Sequence, residues 1–231
     1  SCDKATIKNV QEHIHVSGSV KTLDISDCTG DFIDLNLNSC NEATIKNVQQ
    51  ELIDVDGSVK TLDISDCTGG GLVDLDLNSC NEATIKNVQA YIDVNGSVKT
   101  LDISDCTKLV QLEKSASCDE VTIQQTQGPV TVQGFVKSIN ASNNNEIYIE
   151  STATIGVLTV KSCYGCRIDG NVNQLIISNM SQSVPWDDNT FIPSVIVQNC
   201  TFDDVYIASM TGSSAAIDKY IEEVLESREN N

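Results

Sequence analysis

CNEATIKNVQQELIDVDGSVKTLDISDCTGGGLVDLDLNS, from Cys40 to Ser79, is one copy of a unit that the chain repeats. A near copy, CDKATIKNVQEHIHVSGSVKTLDISDCTGDFIDLNLNS, runs from Cys2 to Ser39, and CNEATIKNVQAYIDVNGSVKTLDISDCTKLVQLEKSAS follows from Cys80 to Ser117. Self-similarity at a fixed period marks a solenoid, in which each unit buries its apolar side only against its neighbours. Inside the unit, apolar and polar residues alternate in short runs: Ala43, Ile45 and Val48; Ile53 and Val55; Leu62 and Ile64; Val73, Leu75 and Leu77. Alternation at period two in runs rich in Ile, Val and Thr predicts half-buried strands. Asp56-Gly57-Ser58, Thr68-Gly69-Gly70-Gly71 and Asn78-Ser79 supply the turn chemistry between them.

ATIKNV can be laid over TLDISD with Ala43 on Leu62 and Ile45 on Ile64, so the unit divides into two rungs of about twenty residues. The predicted fold is an all-β, right-handed parallel β-helix of about eleven rungs. Residues 1–117 are the three near-identical repeats and residues 118–209 the diverged rungs. Over residues 210–231 the period changes: Ala215, Ile217, Ile221, Val224 and Leu225 fall at helical spacing, which predicts a cap over the open end. No such cap is visible before Cys2, so rung one frays, pairs with another molecule or is covered by a segment beyond Ser1.

The 231 residues carry only 4% aromatic side chains, which suits a narrow core of Val, Ile, Leu, Ala and Cys. A net charge of −19 and a pI near 4.2 argue against nucleic acid and anionic membranes as partners. No apolar run is long enough to span a bilayer, and no signal-peptide pattern is seen, although initiator Met removal or signal cleavage would each leave Ser1.

Ten cysteines invite a disulfide framework, but their placement opposes it. Cys28, Cys67 and Cys106 follow DIS-Asp, while Cys2, Cys40, Cys80 and Cys118 open rungs. Members of one series recur every second rung, roughly 9.6 Å apart, beyond the reach of a disulfide. Buried thiols acting as small hydrophobes are expected, and reduced thiols favour an intracellular address. The sequons at Asn140, Asn179 and Asn199 point the other way but arise easily in an Asn- and Ser-rich chain.

VKTLDISDC at Val20, Val59 and Val98, with IGVLTVKSC at Ile155 as a looser form, resembles the repeat of the C-terminal β-helix of cyclase-associated proteins and the related tubulin-cofactor C domain. The resemblance implies a right-handed parallel β-helix and, by the cyclase-associated branch, a protein that dimerises and binds monomeric actin. Cys166-Arg167-Ile168-Asp169 does not match the glutamine-arginine motif of the cofactor C branch, so GTPase activation is not carried over.

If Ile and Val point inward, two outward faces follow. One sets Thr6, Lys8, Thr44, Lys46, Thr84 and Lys86 among Asp24, Ser26, Asp63, Ser65, Asp102 and Ser104. Lys8, Lys46 and Lys86 are expected beside Asp24, Asp63 and Asp102 on alternate rungs, a neutral, solvated face or a partner surface. The other face carries Asp34-x-Asn36, Asp54-x-Asp56, Asp74-x-Asp76 and Asp93-x-Asn95 on successive rungs, without Lys between them. Such columns are either solvated, matched by a basic protein, or bridged by a hard cation such as calcium. For calcium the ligands would be Asp34, Asp54, Asp56, Asp74, Asp76 and Asp93.

Other chemistry finds less support. Cys163-Tyr164-Gly165-Cys166 is a lone CxxC, and His13 and His15 are the only histidines. Carboxylates that repeat identically do not form an acid/base pair in differing environments. Thr6, Thr44, Thr84 and Thr122 recur as an ice-binding array would, but the adjacent lysines break its flatness. The sequence therefore predicts a non-enzymatic scaffold that presents a repeated acidic surface to a protein partner, actin-type by resemblance, with no cofactor other than a candidate calcium. The alternative is a secreted structural or adhesive protein that self-assembles into filaments or binds calcium.

Overall fold

The computed structural model describes residues 1–179 and the strand Val195–Gln198. The fold is a parallel β-solenoid of about nine turns, with no helix among the described residues. Its strands are β1 (Cys2–Lys8), β2 (Ile14–Ser26), β3 (Phe32–Lys46), β4 (Leu52–Cys67), β5 (Leu72–Val88), β6 (Tyr91–Ser104), β7 (Val110–Leu112) and β8 (Ser117–Gln124). They continue as β9 (Val130–Val132), β10 (Phe135–Ser142), β11 (Glu146–Ile149), β12 (Thr154–Lys161), β13 (Gly165–Ile168), β14 (Asn171–Ser178) and β15 (Val195–Gln198).

The main ladder runs β1-β2-β3-β4-β5-β6-β8-β10-β12-β14-β15, and every pairing is parallel. Where rungs diverge, the second side separates into short strands that stack as β6-β7-β9-β11-β13. After about nine turns the first-side ladder continues through β14 and β15, short of the full eleven rungs expected from the sequence. The remainder of those rungs and the helical cap expected over 210–231 lie outside the described residues.

The alignment that divided the unit is the register of the ladder: Ala43 pairs with Leu62 and Ile45 with Ile64. The core is correspondingly regular. Leu23, Ala43, Leu62, Ala83 and Leu101 form one buried column, in register from β2 to β6, and Ile25, Ile45, Ile64, Ile85 and Ile103 form the next. Size alternates with a two-rung period. The rung with Ala43 and Gly57 lies between rungs carrying Leu23 with Leu37 and Leu62 with Leu77. Close packing then lets the larger side chains fill space left by the smaller ones, which is why the repeating unit is two rungs and not one.

The strands are longer than expected, because the corners at Asp56-Gly57-Ser58 and Asn78-Ser79 bend the chain inside β4 and β5 without ending them. The ladder only shifts register there, between Gly57 and Ser58 and between Leu77 and Cys80. Gly57 sits at φ 118°, and a Cβ there would stand 2.0 Å from the Leu37 carbonyl oxygen, so this corner accepts no side chain.

The sharp corner is elsewhere. One residue per rung adopts a left-handed backbone at the end of the first-side strand: Asn9, Asp27, Asn47, Asp66, Asn87, Asp105, Gln125, Asn143, Ser162 and Asn179, all with φ between 51° and 57°. Asn and Asp tolerate this region because their short polar side chains bond locally. Here they also bond along the axis. Asn47 Nδ2 donates to Asp27 Oδ1 at 2.6 Å and Asn87 Nδ2 to Asp66 Oδ1 at 2.8 Å.

The thiols stand as the spacing implies. Val20, Cys40, Val59, Cys80, Val98, Cys118 and Val136 alternate in one column. Cys28, Cys40, Cys67, Cys80, Cys106, Cys118, Cys163 and Cys166 are buried, and Cys2 is exposed. Several satisfy their S–H on a carbonyl two residues away, as Cys28 does on Ser26 (3.1 Å) and Cys40 on Glu42 (3.2 Å).

Candidate functional site: a repeated acidic face

On the second side of the coil, Ile53 and Val55 point inward, and strand alternation sends Leu52, Asp54 and Asp56 outward. Because the rungs stack in register, each outward residue becomes a column. Asp34, Asp54, Asp74 and Asp93 are successive ladder partners, and so are Asn36, Asp56, Asp76 and Asn95. The first column is half-buried; Asp56 and Asp76 are exposed. Rungs stack about 4.8 Å apart, so like charges stand one above another.

That crowding shows in the proton affinities. Burial, then the charges of Asp74, Asp34, Asp56 and Asp76, pushes the Asp54 carboxyl above the usual carboxylate range. Asp74 is raised by burial, then Asp76 and Glu113; Asp93 by burial, then Glu113 and Asp74. Glu113, just past β7, thus belongs to the face although the repeat pattern did not mark it. At the other end the column is answered by His15, whose Nδ1 lies 2.8 Å from Asp34 Oδ2. Among the described residues no cationic side chain pairs with Asp54, Asp74 or Asp93. The column then loses its acidic character through Gln111, Thr131, Tyr148 and Arg167.

The residues expected to ligate calcium therefore do share one face, in two columns. Among the described residues, however, no three or more His, Cys, Asp or Glu side chains are gathered as a metal site would gather them. Parallel strands hold the carboxylates side by side and do not converge them on a point.

The first-side face differs from expectation. The register sets Lys8 on Ser26, Lys46 on Ser65 and Lys86 on Ser104, while Asp24, Asp63 and Asp102 stand in line with Thr6, Thr44 and Thr84. Lys8 therefore meets Asp24 diagonally, Nζ to Oδ2 at 3.6 Å, and Lys46 turns to corner residue Asp66 at 3.8 Å, whereas Lys21 with Asp3 (2.6 Å) and Lys137 with Asp119 (2.5 Å) pair directly across neighbouring rungs. The Lys8 and Lys46 pairs each join an exposed lysine to a half-buried aspartate at the surface and are worth about 0.2–1 kcal/mol at most. This sheet is the more nearly neutral of the two.

One feature of the acidic face escaped the repeat reading. Phe32, Leu52, Leu72 and Tyr91 are successive ladder partners that point outward, two residues before the aspartate column. Phe32 and Tyr91 are 38% and 48% exposed, and Leu52 and Leu72 are half-buried. The signal was present in FID, LID, LVD and YID, where an apolar residue occupies an outward position of the alternation. His13 packs on Phe32 with ring centroids 5.3 Å apart, and Lys108 Nζ lies 4.7 Å over the Tyr91 ring.

Cys163 and Cys166 are both buried, and burial raises both thiols, which suits packing and not thiolate chemistry. Asn140 is exposed in the middle of β10, between Thr122 and Thr159, while Asn199 lies outside the described residues. No helix of the described residues is long and apolar enough to cross a membrane. No family model, curated protein or solved structure matches the chain.

Proposed function

We propose that this chain is a non-enzymatic β-solenoid scaffold that presents its repeated acidic face to a basic protein partner. The carrying observation is the in-register column Asp34, Asp54, Asp74 and Asp93, flanked by Asp56 and Asp76, in which Asp34 meets the His15 imidazole and, among the described residues, no Lys or Arg pairs with Asp54, Asp74 or Asp93. Identical carboxylates multiply a surface, whereas catalysis calls for groups in differing environments. With this goes the fuller architecture: a right-handed coil of about eleven rungs, closed by a helical cap over 210–231.

Lysine homopolymer binding tests the acidic-face reading. Retention at low salt, lost in the double variant Asp54→Asn/Asp74→Asn, supports it, and indifference to the double variant refutes it. The resemblance to cyclase-associated proteins makes actin the first cytoskeletal partner to try. Pulldown at physiological salt without actin enrichment ends that version.

The second reading, a self-assembling or calcium-binding extracellular protein, draws on the same columns and on β1, which has a single strand neighbour in the ladder. Sedimentation with and without calcium, reduced and oxidised, tests it; a calcium- or oxidation-dependent polymer would favour it.

A further inference from the structure

We propose that the acidic face is a groove-free track for one amphipathic, cationic helix lying along the solenoid axis, with its apolar row on Phe32, Leu52, Leu72 and Tyr91 and its Lys or Arg row on Asp54, Asp74 and Asp93. This rests on the basic-partner reading above and adds the partner's shape and its apolar half.

Two stripes of different chemistry run parallel on one side of the ladder. Successive residues of each stripe are one rung apart, about 4.8 Å, and the stripes are two strand residues apart, about 6.6–7 Å. A helix presents one residue per turn at about 5.4 Å and is about 10–12 Å across with side chains, so it follows the rungs to within about 0.6 Å per step and covers both stripes. An extended segment laid along the axis repeats a face every ~6.8 Å and loses step by about 2 Å per rung. The helix is the better match.

Chemistry selects its charge. The apolar stripe alone would accept any hydrophobic partner, but the carboxylates beside it would stand uncompensated under a neutral or acidic one. The track also has marked ends: His13 and His15 attend Phe32 and Asp34 at one, and Lys108 covers Tyr91 at the other. Between them, Leu52 to Tyr91 and Asp54 to Asp93 are the stretch where apolar and acidic residues lie side by side with no basic residue in either column.

The test uses the intact chain and three labelled peptides of about eighteen residues, long enough for helix formation. One carries Leu at i, i+4, i+7 and i+11 with Lys along one flank; the second has each Leu replaced by Ser; the third has each Lys replaced by Glu. Binding is read by fluorescence anisotropy and helicity by circular dichroism. The Leu/Lys peptide is expected to bind and become helical, at least tenfold more tightly than either control. Tyr91→Ser, and separately Asp54→Asn/Asp74→Asn, should each weaken it at least fivefold; Leu72→Ser serves as a further stripe variant if its thermal transition is intact.

Equal binding of the Leu/Lys and Ser/Lys peptides, with no effect of Tyr91→Ser, would overturn the helix track and leave the acidic-face reading standing. Loss of binding by all Lys peptides would end both. Equal binding of the Glu peptide would overturn the proposal, as would concentration-dependent self-association abolished by Tyr91→Ser, which would assign the stripe to a second copy.

Discussion

Asp54 and Asp74 are direct ladder partners on neighbouring strands, both half-buried, and both hold their protons more tightly than an ordinary carboxylate. Two like charges in register oppose folding, so Asp54→Asn or Asp74→Asn is expected to stabilise the free protein, by up to about 1 kcal/mol. Urea denaturation at pH 7 checks this. A loss of stability in both variants would mean that the carboxylates make favourable contacts in the native coil.

The pH dependence follows with a definite sign. A carboxyl whose folded pKa is raised binds its proton more readily folded than unfolded, so its penalty is present at neutral pH and relieved as pH falls through the raised folded value towards 3.8. Asp54, Asp74 and Asp93 therefore contribute a stability that increases on mild acidification. Denaturation midpoints followed from pH 7 down towards pH 4 should rise more for the wild type than for the double variant Asp54→Asn/Asp74→Asn. Parallel curves would contradict it.

Salt should act in the same direction. With a net charge of −19 on a stack of closely spaced rungs, self-repulsion reaches over about two rungs at the ~10 Å screening length of 0.1 M salt. Raising sodium chloride from low to moderate concentration is expected to raise the melting temperature, and less so in the double variant.

How much of this could be read beforehand depends on which residues carried the information. Ala43 over Leu62 and Ile45 over Ile64 were legible because alternation and near-identical copies fix both face and register. The same overlay already implied Lys46 over Ser65, and the expectation of lysine beside aspartate on alternate rungs overlooked it. The corner was illegible for a physical reason. Asp66 and Asn87 look like ordinary polar residues, and only their backbone angles show that they turn the chain where glycine was expected to. Leu52 and Leu72 were legible as a surface only from their outward place in LID and LVD, against the usual assignment of leucine to the core.

The thiols offer a chemical check. Burial pushes Cys67 and Cys118 up to about 12 and Cys106 to about 11, so none is a thiolate at neutral pH. In the native protein at pH 8, alkylation is expected to label Cys2 and to spare Cys28, Cys40, Cys67, Cys80, Cys106, Cys118, Cys163 and Cys166 until unfolding. Peptide mass mapping distinguishes them. Rapid native labelling of Cys67 or Cys106 would refute a sealed core.

Two glycines with similar backbone angles should respond differently to alanine. Gly18 at φ 106° has open space where a Cβ would go, whereas at Gly57 a Cβ would strike Leu37. Gly18→Ala carries only backbone strain, about 1 kcal/mol, while Gly57→Ala must also move the neighbouring rung and should cost clearly more. Thermal denaturation of the two variants orders them.

The sameness of the copies has a consequence for how the chain finds its fold. To a growing end at Cys40–Ser79, the copy at Cys80–Ser117 and the copy at Cys2–Ser39 offer nearly the same partner surface, with Ala matched to Leu and Cys to Val in either case. A slip of one rung is opposed by the size alternation, but a slip of one whole unit meets no local penalty and would loop out or exchange an entire copy. The reading frame is therefore held by the residues that do not repeat, from Cys118 to Asn179, where buried Thr126 Oγ1 donates to buried Asn144 Oδ1 at 3.1 Å, a polar contact that the three copies lack. The degenerate half builds the surface, and the irregular half keeps count.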